Sequence, residues 1–189
     1  ASSMQFEAVA DFNGDGFADR GWHRSDINPD QFYVASPSPL NPTGFGSVSS
    51  WIRQADYPGV IMYGVDGRWH DHYGDLVGDG RTDHLWTPGN WSGDVGIWAK
   101  LSQGNMFGPP SEWRSVQSLN LPSLYCPGKS YSYYGQHEKV IDVNGDGMDD
   151  FILQPRCLED WYAFLSNGTS LDPAQSWIPT GIAGSLSTY

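Results

Sequence analysis

One nine-residue stretch, dense in oxygen-bearing side chains, occurs three times in this 189-residue chain. Asp11-Phe12-Asn13-Gly14-Asp15-Gly16-Phe17-Ala18-Asp19 returns as Asp75-Leu76-Val77-Gly78-Asp79-Gly80-Arg81-Thr82-Asp83, and again as Asp142-Val143-Asn144-Gly145-Asp146-Gly147-Met148-Asp149-Asp150. Carboxylates or carboxamides stand at positions 1, 3, 5 and 9, except that Val77 fills position 3 of the second copy. Glycines stand at positions 4 and 6. Odd spacing in a tight loop turns such oxygens inward, and glycine supplies the positive φ that folding around a centre requires. Carboxylates this close repel unless a cation lies among them. Calcium takes six to eight oxygens at about 2.3–2.6 Å in loose geometry, which suits the loop better than the rigid octahedron of magnesium. A solvated turn is the plain alternative for one such loop; three copies with matching flanks favour the metal. An EF-hand opens in the same way but needs a carboxylate at position 12 and helices on both sides. Position 12 here is Trp22, Trp86 and Leu153.

A second constellation lies four residues before each loop, at Glu7, Asp71 and Glu138. Three carboxylates brought together cannot all ionise cheaply, so one pKa rises. One protonated and one ionised carboxyl group are what glycoside hydrolysis uses. Glu138 or Glu7 would be the general acid, with Asp71 as its partner. The plain alternative is a surface acid copied three times by repetition. His70 and His137 align one residue earlier, and His72 follows Asp71, but no H-E-x-x-H or CxxC spacing supports zinc. Aromatic residues are abundant, with nine Trp and ten Tyr. Their flat faces suit the apolar side of a pyranose ring. Trp69, Trp91, His70, His137, Tyr133 and Tyr134 are the candidate substrate-binding side chains, whereas Trp51, Trp113 and Trp177 recur at equivalent places and are expected to pack.

The elements that must position these groups repeat as well. The first loop aspartates fall at 11, 75 and 142, dividing a single domain of residues 1–189 into units of about 5–68, 69–135 and 136–189. Each unit reads as strand, loop, strand, strand, turn and a final strand reaching a tryptophan. First strands are expected at 5–10, 69–74 and 136–141, second strands at 20–23, 84–86 and 151–153. Third strands are expected at 31–35, 94–99 and 160–165, with fourth strands around Trp51, Trp113 and Trp177. No amphipathic helix is evident. A period near 65 residues with four strands fits a propeller blade better than a helical solenoid, and the expected fold is all-β: a small β-propeller-like domain of three four-stranded blades with calcium-binding hairpin loops.

The loops and their flanks resemble FG-GAP/VCBS repeats, the calcium-binding blades of integrin-α-like and fungal lectin-like β-propellers. The resemblance covers nearly the whole length. By position it implies the ligands Asp11, Asn13, Asp15 and Asp19 with the Phe17 carbonyl. It implies Asp75, Asp79 and Asp83 with the Arg81 carbonyl, and Asp142, Asn144, Asp146 and Asp150 with the Met148 carbonyl. Up to three structural Ca²⁺ ions follow. Propellers usually have four to eight blades, so three repeats must close as a small unit, pair with a second chain, or belong to a longer array. A self-contained unit is the expectation, with segments 56–68 and 118–134 filling gaps; an appended binding domain is the other arrangement.

Charge narrows the function classes. The formal net charge is −12, and nine of the 22 acidic residues occupy loop positions 1, 5 and 9. Three dications would bring the total to about −6. Such acidity disfavours nucleic acid and anionic membranes as partners. No apolar run approaches a membrane span, and no leader precedes Ala1, so a mature or trimmed form is expected. Cys126 and Cys157 offer one disulfide, with two buried thiols as the alternative. Asn90 and Asn167 head permitted glycosylation sequons. Secretion is expected. The expected function is a secreted carbohydrate-active protein acting on glycan or polysaccharide, leaning to a glycoside hydrolase of cell-wall polysaccharide, a muramidase-type activity included. A non-catalytic calcium-dependent lectin is the alternative, which the resemblance by itself favours.

Overall fold

The computed structural model describes residues 4–24, 31–38, 41–53, 69–88, 96–115, 137–154 and 161–176. Twelve strands run through them, and none of the described residues is helical. The first sheet holds β1 (Met4–Ala10), β2 (Asp19–Arg24), β3 (Gln31–Ser38) and β4 (Asn41–Arg53). The second holds β5 (Trp69–Gly74), β6 (Asp83–Pro88), β7 (Ile97–Lys100) and β8 (Ser111–Arg114). The third holds β9 (His137–Ile141), β10 (Asp150–Gln154), β11 (Tyr162–Phe164) and β12 (Gln175–Ser176). Every sheet is an antiparallel meander in chain order. The expected four-stranded repeats are therefore present, each within a few residues of its expected bounds. β4 exceeds expectation, extending back to Asn41 through three register shifts opposite β3.

The loops between first and second strands fold alike. Glycines 4 and 6 have φ of 78° and 84° in loop one, 72° and 81° in loop two, and 81° and 88° in loop three. Only a residue without a Cβ adopts this region at little cost. The positive φ expected at these six glycines is observed.

Successive sheets, called blades one to three below only to mark their order in the chain, stack so that β5 lies beside β1 and β9 beside β5. In the third sheet Tyr162–Phe164 is buried at every position. One core fills the seam between blades one and two. There Phe12, Phe32, Val34 and Trp51 meet Phe107 and Tyr73 of blade two. Phe12 packs edge-on to Tyr73 at 5.7 Å and to Phe107 at 6.1 Å. The other core fills the next seam, where Leu76, Leu85, Ile97 and Trp113 meet Phe151, Leu153, Phe164 and Leu171. Trp51 and Trp113 are thus packing residues, as expected; Trp177 lies outside the described residues.

Hydrogen bonds tie each loop to its neighbour. The Asp11 carbonyl accepts from the Thr82 amide at 2.7 Å, and the Asp75 carbonyl accepts from the Asp149 amide at 2.7 Å. Position 8 of one loop thus binds position 1 of the preceding loop, twice over. Among the described residues no helix is long and apolar enough to cross a membrane.

Candidate metal centres and a carboxylate–histidine site

In each loop the first aspartate gathers the backbone. Asp11 Oδ1 accepts from the amides of Gly14 and Asp15, and Oδ2 accepts from Gly16. Asp75 repeats this with Gly78, Asp79 and Gly80. Asp142 does so with Gly145 and Gly147. The Gly147 and Gly145 amides hold the Asp142 carboxyl below the usual carboxylate range. Position 5 adds a cap, with Asp15 Oδ1 accepting from the Phe17 amide and Asp146 Oδ1 from that of Met148, both at 2.9 Å. The result is a set of side-chain oxygens gathered on a pre-shaped loop.

Position 9 plays a different part. Asp19, Asp83 and Asp150 are fully buried. Asp83 Oδ2 accepts from Leu76 N at 3.0 Å and Oδ1 from Ser102 N at 2.7 Å. Asp150 Oδ2 accepts from Val143 N at 3.1 Å and Oδ1 from Ser166 N at 2.8 Å. Each carboxylate clamps its loop to the end of its own third strand. Burial pushes the Asp83 carboxyl up to about 7 against those two amide bonds, and raises Asp150 for the same reason. In loop one, Asp19 Oδ2 accepts from Phe12 N at 2.9 Å. Its Oδ1 is buried without a hydrogen-bond partner among the described residues, and burial raises this carboxyl above the usual range although the Ser36 hydroxyl favours the ionised form.

Among the described residues no group of three or more His, Cys, Asp or Glu side chains is placed to hold a metal ion by itself. The oxygens of loops one and three come also from carboxamides and carbonyls, a hard and mixed donor set that fits calcium. Asp11, Asn13, Asp15 and the Phe17 carbonyl would hold one ion, with Asp19 Oδ1 beneath. Asp142, Asn144, Asp146 and the Met148 carbonyl would hold another. Loop two departs from this pattern. Val77 offers no oxygen, and the Arg81 guanidinium pairs with Asp79 Oδ2 inside the loop. The Arg81 stem lies on the preceding loop, where a Cβ on Gly14 would stand 2.7 Å from its Cγ.

The three acids before the loops do not form one cluster. In β1 the register shifts between Phe6 and Ala8, so Phe6 pairs with Trp22 and Glu7 is the extra residue of a bulge. In the other blades the cross-strand partners are Asp71 with Trp86 and Glu138 with Leu153. Glu7 therefore leaves the column that sequence spacing assigns it. Asp71 and His72 are successive strand residues and project to opposite faces of the β5–β8 sheet. His72 Nε2 meets Glu138 Oε2 at 2.8 Å across the seam with blade three; the Glu138 side chain is 2% exposed. Asp71 lies on the other face, its side chain 32% exposed, with Oδ1 2.7 Å from His84 Nε2. Asp71 and Glu138 thus do not oppose each other across a shared cleft.

Asp71 instead heads a site that spacing did not disclose. His84, one residue past the loop, is buried and stacks between Tyr73 at 5.1 Å and Trp86 at 5.2 Å. Burial pulls its pKa down, against the hydrogen bond and charge of Asp71. His84 Nε2 and Asp71 Oδ1 share one hydrogen bond, and Nδ1 is buried without a hydrogen-bond partner among the described residues. Lys100 is 1% exposed, its ammonium 5.0 Å from the centre of the Trp86 ring. Burial lowers it to about 8, although Asp71 favours its charged form. Trp86 stacks on half-buried Trp98 at 6.3 Å. The signal available in the sequence was strand alternation, which puts His84 and Trp86 on one face of β6.

The other binding candidates are only partly placed. Trp69 and His70 lie on β5 and His137 on β9, their side chains outside the described set; the same holds for Glu7 on β1. Trp91, Tyr133, Tyr134, Asn90, Cys126 and Cys157 lie outside the described residues altogether. Asn167 is exposed in a turn between Ser166 and Leu171. Comparison with family models and with curated proteins gave no match.

Proposed function

We propose that the chain is an extracellular carbohydrate-binding module built of propeller-type blades of the FG-GAP/VCBS kind, with calcium bound in loops one and three. The observation that carries this reading is the exposed Asp71 carboxylate, aimed by buried His84, on the same sheet face as half-buried Trp98, which stacks on buried Trp86 between them. A carboxylate that accepts hydroxyl hydrogens, next to an aromatic face that takes C–H groups, is the pairing that recognises a pyranose. The Asp71–His84 pair belongs to blade two alone, since Arg20 and Phe151 fill the place of His84 in the other blades. The described residues thus hold one site of this kind, with glycan or polysaccharide as the partner and neither nucleic acid nor membrane. Calcium would be structural, supplying positive charge among the loop carboxylates while Asp83 and Asp150 hold the loops to their sheets.

Glycoside hydrolysis of a cell-wall polysaccharide is the second reading, favoured by the one-off character of the Asp71–His84 pair. Burial of Glu138 against His72 weighs against a Glu138–Asp71 acid pair and leaves Asp71 as the accessible carboxyl. The test is wild type against Asp71→Asn on immobilised polysaccharides and peptidoglycan, read both as retention and as release of reducing ends. Retention without release, lost in Asp71→Asn, supports the binding module. Release lost in Asp71→Asn supports the hydrolase. Retention equal in both proteins, with no release by either, would defeat the assignment of this site.

A further inference from the structure

The two seams inside the molecule are built by the same rules, and the outer faces of blades one and three carry both halves of a third. Across a seam the leading blade contributes three features. The residue two before its loop packs on the preceding core, as Tyr73 does on Phe12 and as Val140 does in the second seam. The residue at loop position 7 lays its stem on glycine 4 of the preceding loop: Arg81 on Gly14, and Met148 on Gly78, where a Cβ would stand 3.2 Å from Met148 Cγ. The amide at position 8 donates to the preceding position-1 carbonyl.

In blade one the corresponding residues are Val9, Phe17 and Ala18, and all three are exposed, Val9 at 60% and Phe17 at 65%. Phe45 is also exposed at 49%. It pairs back to Pro37 much as the buried Phe107 and Leu171 bridge back to Ser102 and Ser166. Blade three shows the converse. Gly145, at glycine 4, has open space where its equivalents are covered. Ile141 is 51% exposed, whereas Gly74 in the same place is buried under Val140.

An apolar face with one half of a seam and a second face with the other half are complementary to each other. Among the described residues blade one does not cover these positions of blade three, because both sets stand exposed together. We propose that the leading face of blade one docks on the trailing face of blade three of a second copy, head to tail. Two such contacts close a pair of chains into one six-bladed assembly. Six lies within the usual range for propellers, and a head-to-tail contact yields a closed assembly when its rotation returns to the start. The proposal rests on the blade-to-blade packing and not on the carbohydrate reading, so the two fail independently.

Sedimentation velocity of the full chain, with calcium present and no glycan, tests it. The expected species has twice the 20.9 kDa chain mass. Phe17→Glu on the leading face and Ile141→Glu on the trailing face each yield monomer, with circular dichroism unchanged because both side chains are exposed. Each single variant keeps one intact face, so mixing the two restores a dimer; a symmetric face-to-face dimer would not reassemble in this way. Monomeric wild type at about 100 µM, far above a micromolar dissociation constant, overturns the proposal. So does a dimer indifferent to Phe17→Glu, a mixture that stays monomeric, or assembly beyond two chains.

Discussion

The hydroxyl of Ser166, two residues past β11, donates to the carbonyl of Leu76 in the preceding blade's loop at 2.7 Å. The same bond joins Ser102 to Phe12 at 2.6 Å, one repeat earlier. Ser166 also receives the Gly168 amide, while its own amide is held by Asp150. One small side chain thus links a metal-type loop, a sheet and the next sheet. Ser166→Ala leaves the Leu76 carbonyl buried and unpaired, which costs about 1–3 kcal/mol. Urea unfolding should show that loss as a lower midpoint at unchanged slope. An unaltered midpoint would mean the seam does not depend on this bond.

The buried aspartates at position 9 carry more. Asp150→Ala strands the buried amide of Ser166 and the part-buried amide of Val143, which together cost about 2–4 kcal/mol. The loss should appear equally with calcium and with chelator, because the clamp is to the backbone. A loss seen only with calcium would reassign Asp150 as chiefly a metal ligand.

Calcium stoichiometry separates the loops. Loops one and three keep a position-3 carboxamide, whereas loop two carries its own cation in Arg81. Metal analysis after gel filtration should give two ions per chain, and chelation should lower the melting temperature by several degrees through loss of a ligand that binds only the native state. Val77→Asn combined with Arg81→Phe recreates the loop-one pattern and should raise the count to three. Three ions in wild type would refute the guanidinium's role.

Lys100 gives the protein a pH signature. Its folded pKa of about 8 lies below the ordinary 10.5, mainly through burial. The folded state therefore binds fewer protons than the unfolded state between those values, and stability rises with pH across that window. The penalty is fully present below about 8. Relative to Lys100→Met, wild type should gain stability from pH 8 to 10, measured by urea unfolding at each pH. Parallel curves for the two proteins would remove Lys100 as the cause.

Much of this was legible in the residues. Asp and Gly spacing determines a loop without reference to the rest of the chain, because positive φ and amide–carboxylate contacts are local; all six glycines at positions 4 and 6 adopt the expected φ. Strand number and order followed from the repetition of those loops and from short apolar runs between them. The acid column could not be judged in this way. One extra residue at Glu7 alters the register, and a bulge leaves no mark in a spacing argument.

What the sequence by itself determined is the repeated loop, the three-fold count of four-stranded units and the all-β class, since each depends on neighbours within a few residues. Tertiary structure alone decided that Asp71 joins His84 while Glu138 joins His72, and that Arg81 reaches from its own loop onto Gly14. Those contacts depend on which face of a sheet a residue takes and which blade covers that face. Both are set by long-range packing, where a shift of one position sends a side chain to the opposite side.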